Sequence, residues 1–270
     1  MGDKTKIDWC DASWNPVTGC LHGCEYCYAE RMAKRFGGKI ITGHDHLYIL
    51  DEPARREDGT INPYPYRFDP TLHRYLLDMP TRWQRPRNIF VCSMADLFGS
   101  WVPDEWIKEV LNACNAALRH RYLFLTKNPA RYGSIKNPYD VRWNGLPFGP
   151  NFWYGATATD KKQLAQALAG FDEMPIASHR FLSVEPLFDN AEWLSTLMDN
   201  HARTGPKTGP EWVIFGAETG NRKGKIIPQK EWIDNAVQMC RNIGATVFMK
   251  ESLRGIMGPD FIQEYPWSTP

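Results

Sequence analysis

From residue 89 onward the chain repeats one unit: a short apolar run, a few polar residues, then a helix. Residues 89–93 (Ile-Phe-Val-Cys-Ser) lead to an expected helix over 104–118, with Pro103 at its mouth. Its apolar positions, Ile107, Val110, Leu111, Cys114 and Leu118, recur at the helical period. The run 122–126 is followed by a short helical stretch after Pro129, and 152–156 by a helix over about 160–170. The run 180–184 precedes a helix carrying Trp193, Leu194, Leu197 and Met198. The run 212–216 precedes one with Trp232, Ile233, Ala236, Val237 and Cys240, which Gly244 is placed to end, and 246–249 closes the series. Short, near-continuously apolar strands separated by helices imply a parallel sheet covered by helices.

Six such strands, and a seventh expected near 16–19, imply an α/β fold: an open or partial (β/α)6-7 TIM-like barrel with parallel strands. A doubly wound sheet is the alternative, weakened because no glycine-rich phosphate fingerprint follows a strand. The whole chain, 1–270, reads as one domain. Residues 37–88 break the rhythm with turn formers and read as an insertion between the first and second units, ending in a short helix near 70–77. Arg55, Arg56, Tyr64, Tyr66 and His73 within it are substrate-contact candidates, because loops on an active face carry such contacts. The Gly/Pro/Lys-rich stretch 203–210 reads as a mobile linker.

Polar residues sit just past the apolar runs: Ser93 and Asp96, Thr126 and Lys127, Thr157 and Thr159, Ser183 and Glu185, Glu218 and Thr219, and Lys250. In a parallel barrel these ends face one mouth, where active sites are built. Charges there must be paired or line a polar cavity, since an unpaired buried charge costs several kcal/mol. Ordinary loop polarity and structural ion pairs are the plain alternatives.

Cys20, Cys24 and Cys27 stand at spacing C-x3-C-x2-C. Thiolates are the preferred ligands of iron–sulfur clusters, and three cysteines on a four-iron cube leave one iron open, as catalytic metal sites require. A zinc knuckle would need a fourth ligand from His22, Cys10 or farther away, and no second cysteine or histidine pair completes a finger. Cys114 and Cys240 fall on apolar helix faces and Cys92 in a strand, where cysteine acts as a small hydrophobe, and no role is expected for Cys10. Seven cysteines without an apolar leader point to a reducing cytoplasm, and no apolar run is long enough to span a membrane. With 32 basic against 31 acidic side chains the net charge is +1, so charge does not argue for a nucleic-acid partner, although one stays open.

With Tyr26 before the last cysteine, the motif resembles that of the radical S-adenosylmethionine superfamily. Trp14-Asn-Pro-Val-Thr-Gly-Cys20, Cys27-Tyr-Ala-Glu30, Ser93-Met-Ala-Asp-Leu-Phe98, Leu125-Thr-Lys127, Ser183-Val-Glu-Pro-Leu187, 212–218 and Phe248-Met-Lys250 together resemble a bacteriophage-associated family of uncharacterised proteins. Members of that family commonly have a longer gap between the first two cysteines. The resemblance implies an enzyme that uses a [4Fe–4S] cluster to cleave S-adenosylmethionine reductively, giving a 5′-deoxyadenosyl radical that takes hydrogen from an unidentified substrate. Cys20, Cys24 and Cys27 would be the cluster ligands. Tyr26, Ser93, Asp96, Thr157, Ser183 and Glu185 would contact S-adenosylmethionine, although the superfamily's Gly-Gly-Glu pattern is absent. Glu218, Lys127 and Lys250 would serve the substrate, which a phage setting suits to a nucleotide or nucleic acid. A reducing electron donor such as flavodoxin or ferredoxin is the implied protein partner, and the host cytoplasm the implied place. A non-catalytic iron–sulfur redox protein and a zinc-stabilised nucleic-acid-binding module are the competing readings.

Overall fold

The computed structural model describes residues 5–37, 47–135, 145–205, 208–220 and 222–268. The chain divides into two compact units, Met1–Phe124 and Leu125–Pro270. The first contains β1 (Ala12–Trp14), β2 (Val17–Thr18), α1 (Tyr28–Phe36), β3 (Tyr48–Leu50), β4 (Thr71–His73), α2 (Met79–Arg82), β5 (Asn88–Val91) and α3 (Asp104–Asn115). The boundary falls inside β6 (Arg121–Thr126). The second contains α4 (Arg131–Ser134), β7 (Phe152–Thr157), α5 (Lys161–Asp172), β8 (His179–Val184), α6 (Thr196–Thr204), β9 (Trp212–Phe215), α7 (Lys230–Asn242), β10 (Thr246–Met249) and α8 (Arg254–Met257).

Seven strands form one sheet in the order β1-β5-β6-β7-β8-β9-β10, and β2, β4 and β3 form a second, small one. The pairs β1–β5, β5–β6, β7–β8, β8–β9 and β9–β10 are all parallel. The large sheet follows chain order from edge to edge. A doubly wound sheet reverses its order at a switch point, so this topology is that of an open, partial (β/α) barrel. All six residues of β7 and all four of β9 are buried, as strands covered on both faces must be.

In the first unit the core includes Trp14, Val91, Phe98 and Phe124 and, from α3, Trp106, Ile107, Val110, Leu111 and Cys114. In the second unit Trp212 lies among Phe181, Phe248, Tyr265 and Trp267 at ring separations of 5.2–6.0 Å. Trp212 Nε1 donates to the Glu264 carbonyl at 3.0 Å. Ile262 and Glu264 also exchange backbone hydrogen bonds with Met249 and Val247, covering the open edge of β10. Gly244, at φ +77°, ends α7 as expected, with the Ala245 amide donating to the Cys240 carbonyl.

Several boundaries differ from the sequence expectation. The first strand of the large sheet is Ala12–Trp14, not 16–19; Val17 and Thr18 instead pair antiparallel with β4. The short helix expected near 70–77 is strand β4 followed by a single 3-10 turn, Arg74–Leu76. Thr71–His73 are extended because they pair with β2 on one side and β3 on the other. Cys92 lies just beyond β5, in a left-handed conformation at φ +60°. Residues 38–46 of the expected insertion and 206–207 of the expected linker lie outside the described residues. Among the described residues no helix is long and apolar enough to cross a membrane.

Candidate functional site

The three cysteines of the C-x3-C-x2-C run occupy the loop between β2 and α1 and are each half-buried. The loop is fixed at its start. Gly19 N donates to the Met94 carbonyl at 2.9 Å and Cys20 N to the Phe68 carbonyl at 3.0 Å. Gly19 has φ +89°, and a Cβ there would sit 2.2 Å from the Asp69 carbonyl oxygen, so only glycine lets 66–69 lie against the loop. The loop is fixed again in its middle, where His22 Nε2 donates to Asp96 Oδ2 at 2.7 Å with the His22 ring edge-on to Trp101. At its end the Cys27 amide donates to the Cys24 carbonyl, and Cys27 Sγ accepts the Glu30 amide at 3.4 Å as the cap of α1. Tyr28 OH then reaches the Ser93 carbonyl at 2.7 Å.

The segment after β5 is equally ordered. Asn15 Oδ1 accepts from Ser93 Oγ at 3.1 Å and from the Met94 amide at 3.0 Å. Asp96, buried, takes the Phe98 amide on its other oxygen. Ser93 and Asp96, expected to contact S-adenosylmethionine, are thus placed beside the cysteine loop, and both side chains also brace it or its neighbours.

Burial pushes the Cys20 thiol up to about 12, against a lowering hydrogen bond from the His22 backbone; the Asp96, Cys24 and Cys27 charges raise it further. A bare thiolate is disfavoured here, and a cation that replaces the proton removes the penalty. Among the described residues no three His, Cys, Asp or Glu side chains converge as ligands of one metal ion. In a cluster each cysteine takes its own iron, so its ligands stand farther apart than those of a single ion, and a soft all-sulfur donor set fits it.

A cleft of about 350 Å³ opens beside Cys20, lined also by Leu21, Glu30, Lys34, Tyr66, Arg67, Phe68 and Asp69. Of the substrate candidates in the insertion, Tyr66 alone lines it. Arg56 donates to the carbonyls of Phe36 and Ile61, and Arg55 to that of Gly59, bracing α1 and their own turn. Tyr64 accepts the Arg67 amide through its carbonyl, and His73 is buried against Thr18 Oγ1 at 2.8 Å. Arg67 was not marked by sequence, although its neighbour Tyr66 was.

In the second unit, Lys250 ion-pairs with Glu185, and both are half-buried. A Cβ on Gly216 would stand about 3 Å from both side chains, so the missing side chain leaves them room. Glu218 is buried and accepts both Arg222 Nε and a terminal Arg222 nitrogen at 2.7 Å. Thr157 and Ser183 are buried register partners on β7 and β8. In the first unit Tyr26 is half-buried, and at the start of the second Lys127 follows β6, also half-buried. Cys114 and Cys240 are buried on helices, and Cys10 is half-buried with Sγ 3.8 Å from the Ile7 carbonyl.

A sequential parallel sheet of this kind is shared with solved structures. Spore photoproduct lyase complexed with dinucleoside spore photoproduct matches at TM-score 0.52 and 13% identity, over 87% of this chain and 75% of that one. A double mutant of the same lyase with bound AdoMet and dinucleoside spore photoproduct matches at TM-score 0.53 and 13% identity, over 90% and 78%. A cysteine-to-serine mutant matches at 0.53 and 14%, over 93% and 81%. These likenesses establish the fold. The family model described as "Protein of unknown function (DUF5131)" matches residues 4–255, and the chain belongs to that family. No curated protein matches its sequence.

Proposed function

We propose that the protein is a radical S-adenosylmethionine enzyme acting on a nucleotide or nucleic-acid substrate. The observation that carries this reading is the loop of Cys20, Cys24 and Cys27, held between β2 and α1 by Gly19, His22 and the segment after β5. Its thiols have the sequence spacing and the softness that a cluster with three protein ligands needs. The fold likeness to spore photoproduct lyase structures, one holding AdoMet and a dinucleoside, supports both the cofactor and the substrate class. The ordered motifs similar to a phage-associated family suit the same substrate class, and a reducing cytoplasm suits the thiols.

When bound, a [4Fe–4S] cluster with one open iron supplies an electron that cleaves S-adenosylmethionine, which the protein alone cannot do. The chain's own residues bind, orient and shield. Cys20, Cys24 and Cys27 would hold the cluster through their sulfurs. Asp96 holds His22, and through it the loop, in one position. Ser93 and Tyr28 link the start of α1 to the segment after β5. We assign Tyr26, Ser93, Asp96, Thr157, Ser183 and Glu185 to contacts with S-adenosylmethionine. Lys127, Glu218 and Lys250 are assigned to the substrate. A low-potential donor of the flavodoxin or ferredoxin kind would supply electrons.

The test is anaerobic reconstitution with iron and sulfide, reduction, addition of S-adenosylmethionine and measurement of 5′-deoxyadenosine. The expected result is a brown protein with about four irons per chain that forms 5′-deoxyadenosine. Alanine at Cys20, Cys24 or Cys27 should abolish both iron retention and product, while serine at Cys10 should abolish neither. Iron retention without product would leave a redox protein, and a colourless zinc protein would end the reading.

A further inference from the structure

We propose that the cleft beside Cys20 binds one phosphate-bearing nucleotide unit, with Arg67 donating hydrogen bonds to its phosphate. The proposal deepens the functional reading above by naming a substrate subsite, and rests on it for the meaning of the cleft's place next to a cluster ligand.

Arg67 has φ +57°, a left-handed conformation that glycine or asparagine adopts readily and arginine does not. Such strain persists only where the surroundings fix it, and it concentrates at ligand-binding positions. Here the surroundings are explicit. The Arg67 amide donates to the Tyr64 carbonyl at 3.1 Å, the Asp69 amide to the Tyr66 carbonyl at 3.1 Å, and the Phe68 carbonyl accepts from Cys20 N at 3.0 Å. The turn that carries Arg67 is thus bonded to the cysteine loop itself. A glycine would close the same turn without strain; the arginine adds a planar, two-pronged hydrogen-bond donor for an anion to the lining of the cleft. Among the described residues no carboxylate forms an ion pair with it, whereas Lys34, also in the lining, is paired at 2.6 Å with Glu30, which lines the cleft too.

The rest of the lining suits a nucleotide. Tyr66 stacks on Tyr48 with ring centres 3.6 Å apart and planes within 4°, which makes it a rigid wall. Rings of this kind stack bases without reading sequence. Asp69 brings a carboxylate that accepts hydrogen bonds from base N–H or sugar hydroxyl groups. Guanidinium and phosphate match in a bidentate geometry that lysine does not reproduce. A space of about 350 Å³ lies at the small end of the range for ligand pockets and fits one nucleotide unit.

The experiment titrates the full chain, as purified under anaerobic conditions, with the four deoxynucleoside 5′-monophosphates, the matching deoxynucleosides and inorganic phosphate, by calorimetry at low salt. Saturable binding of at least one monophosphate is expected, tighter than that of its nucleoside or of phosphate alone. Arg67→Gly should weaken it at least about tenfold while the melting temperature stays level or rises, because the strain is relieved. Arg67→Lys should recover only part of the binding. Equal binding by Arg67→Gly, equal binding of the nucleoside, or a phosphate affinity matching the nucleotide's would each overturn the proposal. The 5′-deoxyadenosine assay is independent: nucleotide binding without 5′-deoxyadenosine sinks the functional reading alone, and 5′-deoxyadenosine without nucleotide binding sinks this subsite alone.

Discussion

His22 and Asp96 are joined by a hydrogen bond of 2.7 Å across 74 residues of chain, and the carboxylate that makes it is buried. The pair ties the middle of the cysteine loop to the residues that follow β5, and Asp96 caps the Phe98 amide at the same time. Geometry around the three sulfurs is therefore set from outside the loop.

Removing that tie has a defined effect. Asp96→Ala leaves His22 and the Phe98 amide without their acceptor, which should cost about 1–3 kcal/mol in stability. Affinity for iron should fall about tenfold or more, as losses of supporting partners around metal ligands generally do. His22→Ala should reproduce most of the iron loss with less loss of stability, since Asp96 keeps the Phe98 amide. Iron content after desalting and urea denaturation measure the two effects.

Gly19 tolerates no side chain. Gly19→Ala combines a left-handed backbone at φ +89° with a Cβ placed 2.2 Å from the Asp69 carbonyl oxygen. Strain of this kind costs about 1–3 kcal/mol before the clash is counted. The loop must part from 66–69, so iron retention should drop to background even where circular dichroism shows a folded chain.

Lys250 and Glu185 form a half-buried ion pair. A double-mutant cycle with Lys250→Met and Glu185→Gln should give a coupling of about 1 kcal/mol in stability. If Lys250 serves the substrate as we propose, Lys250→Met should also lower substrate turnover far more than the stability change accounts for. Uncoupled production of 5′-deoxyadenosine without substrate should persist.

His73 gives the protein a pH dependence of known sign. Burial lowers it from 6.5 to about 4, so the folded chain keeps it neutral where the unfolded chain takes up a proton. Between those values the unfolded state binds more protons, and stability rises with pH. The contribution is complete above about pH 6.5 and is lost as pH falls toward 4, about 3 kcal/mol in all. At pH 5 the wild type should have lost about 2 kcal/mol of it relative to pH 7.5. His73→Gln, which cannot titrate, should show a correspondingly flatter profile in urea titrations.

The sequence carried the large sheet well wherever a strand was a continuous apolar run. Thr246–Met249 was legible to the residue, because burial on both faces leaves little polar character to confuse the reading. It failed at Ala12–Trp14, where three residues with a serine in the middle make a strand only because β5 lies beside them. Thr71–His73 looked helical for the same reason: its partners at 17–18 and 48–50 are remote in sequence. The site divides along the same line. The cysteine spacing was visible because Cys20, Cys24 and Cys27 lie within eight consecutive residues. The His22–Asp96 bond, the packing of Gly19 on Asp69 and the strained Arg67 were invisible, because each depends on segments that meet only after folding.

Cys27 Sγ accepts the Glu30 amide and begins α1. One sulfur atom thus serves as both proposed iron ligand and helix starter, so occupancy and local order share a single handle. Stripping the metal should loosen the opening turn first, and faster deuterium uptake at Glu30 would gauge how full the centre is without any reaction being run.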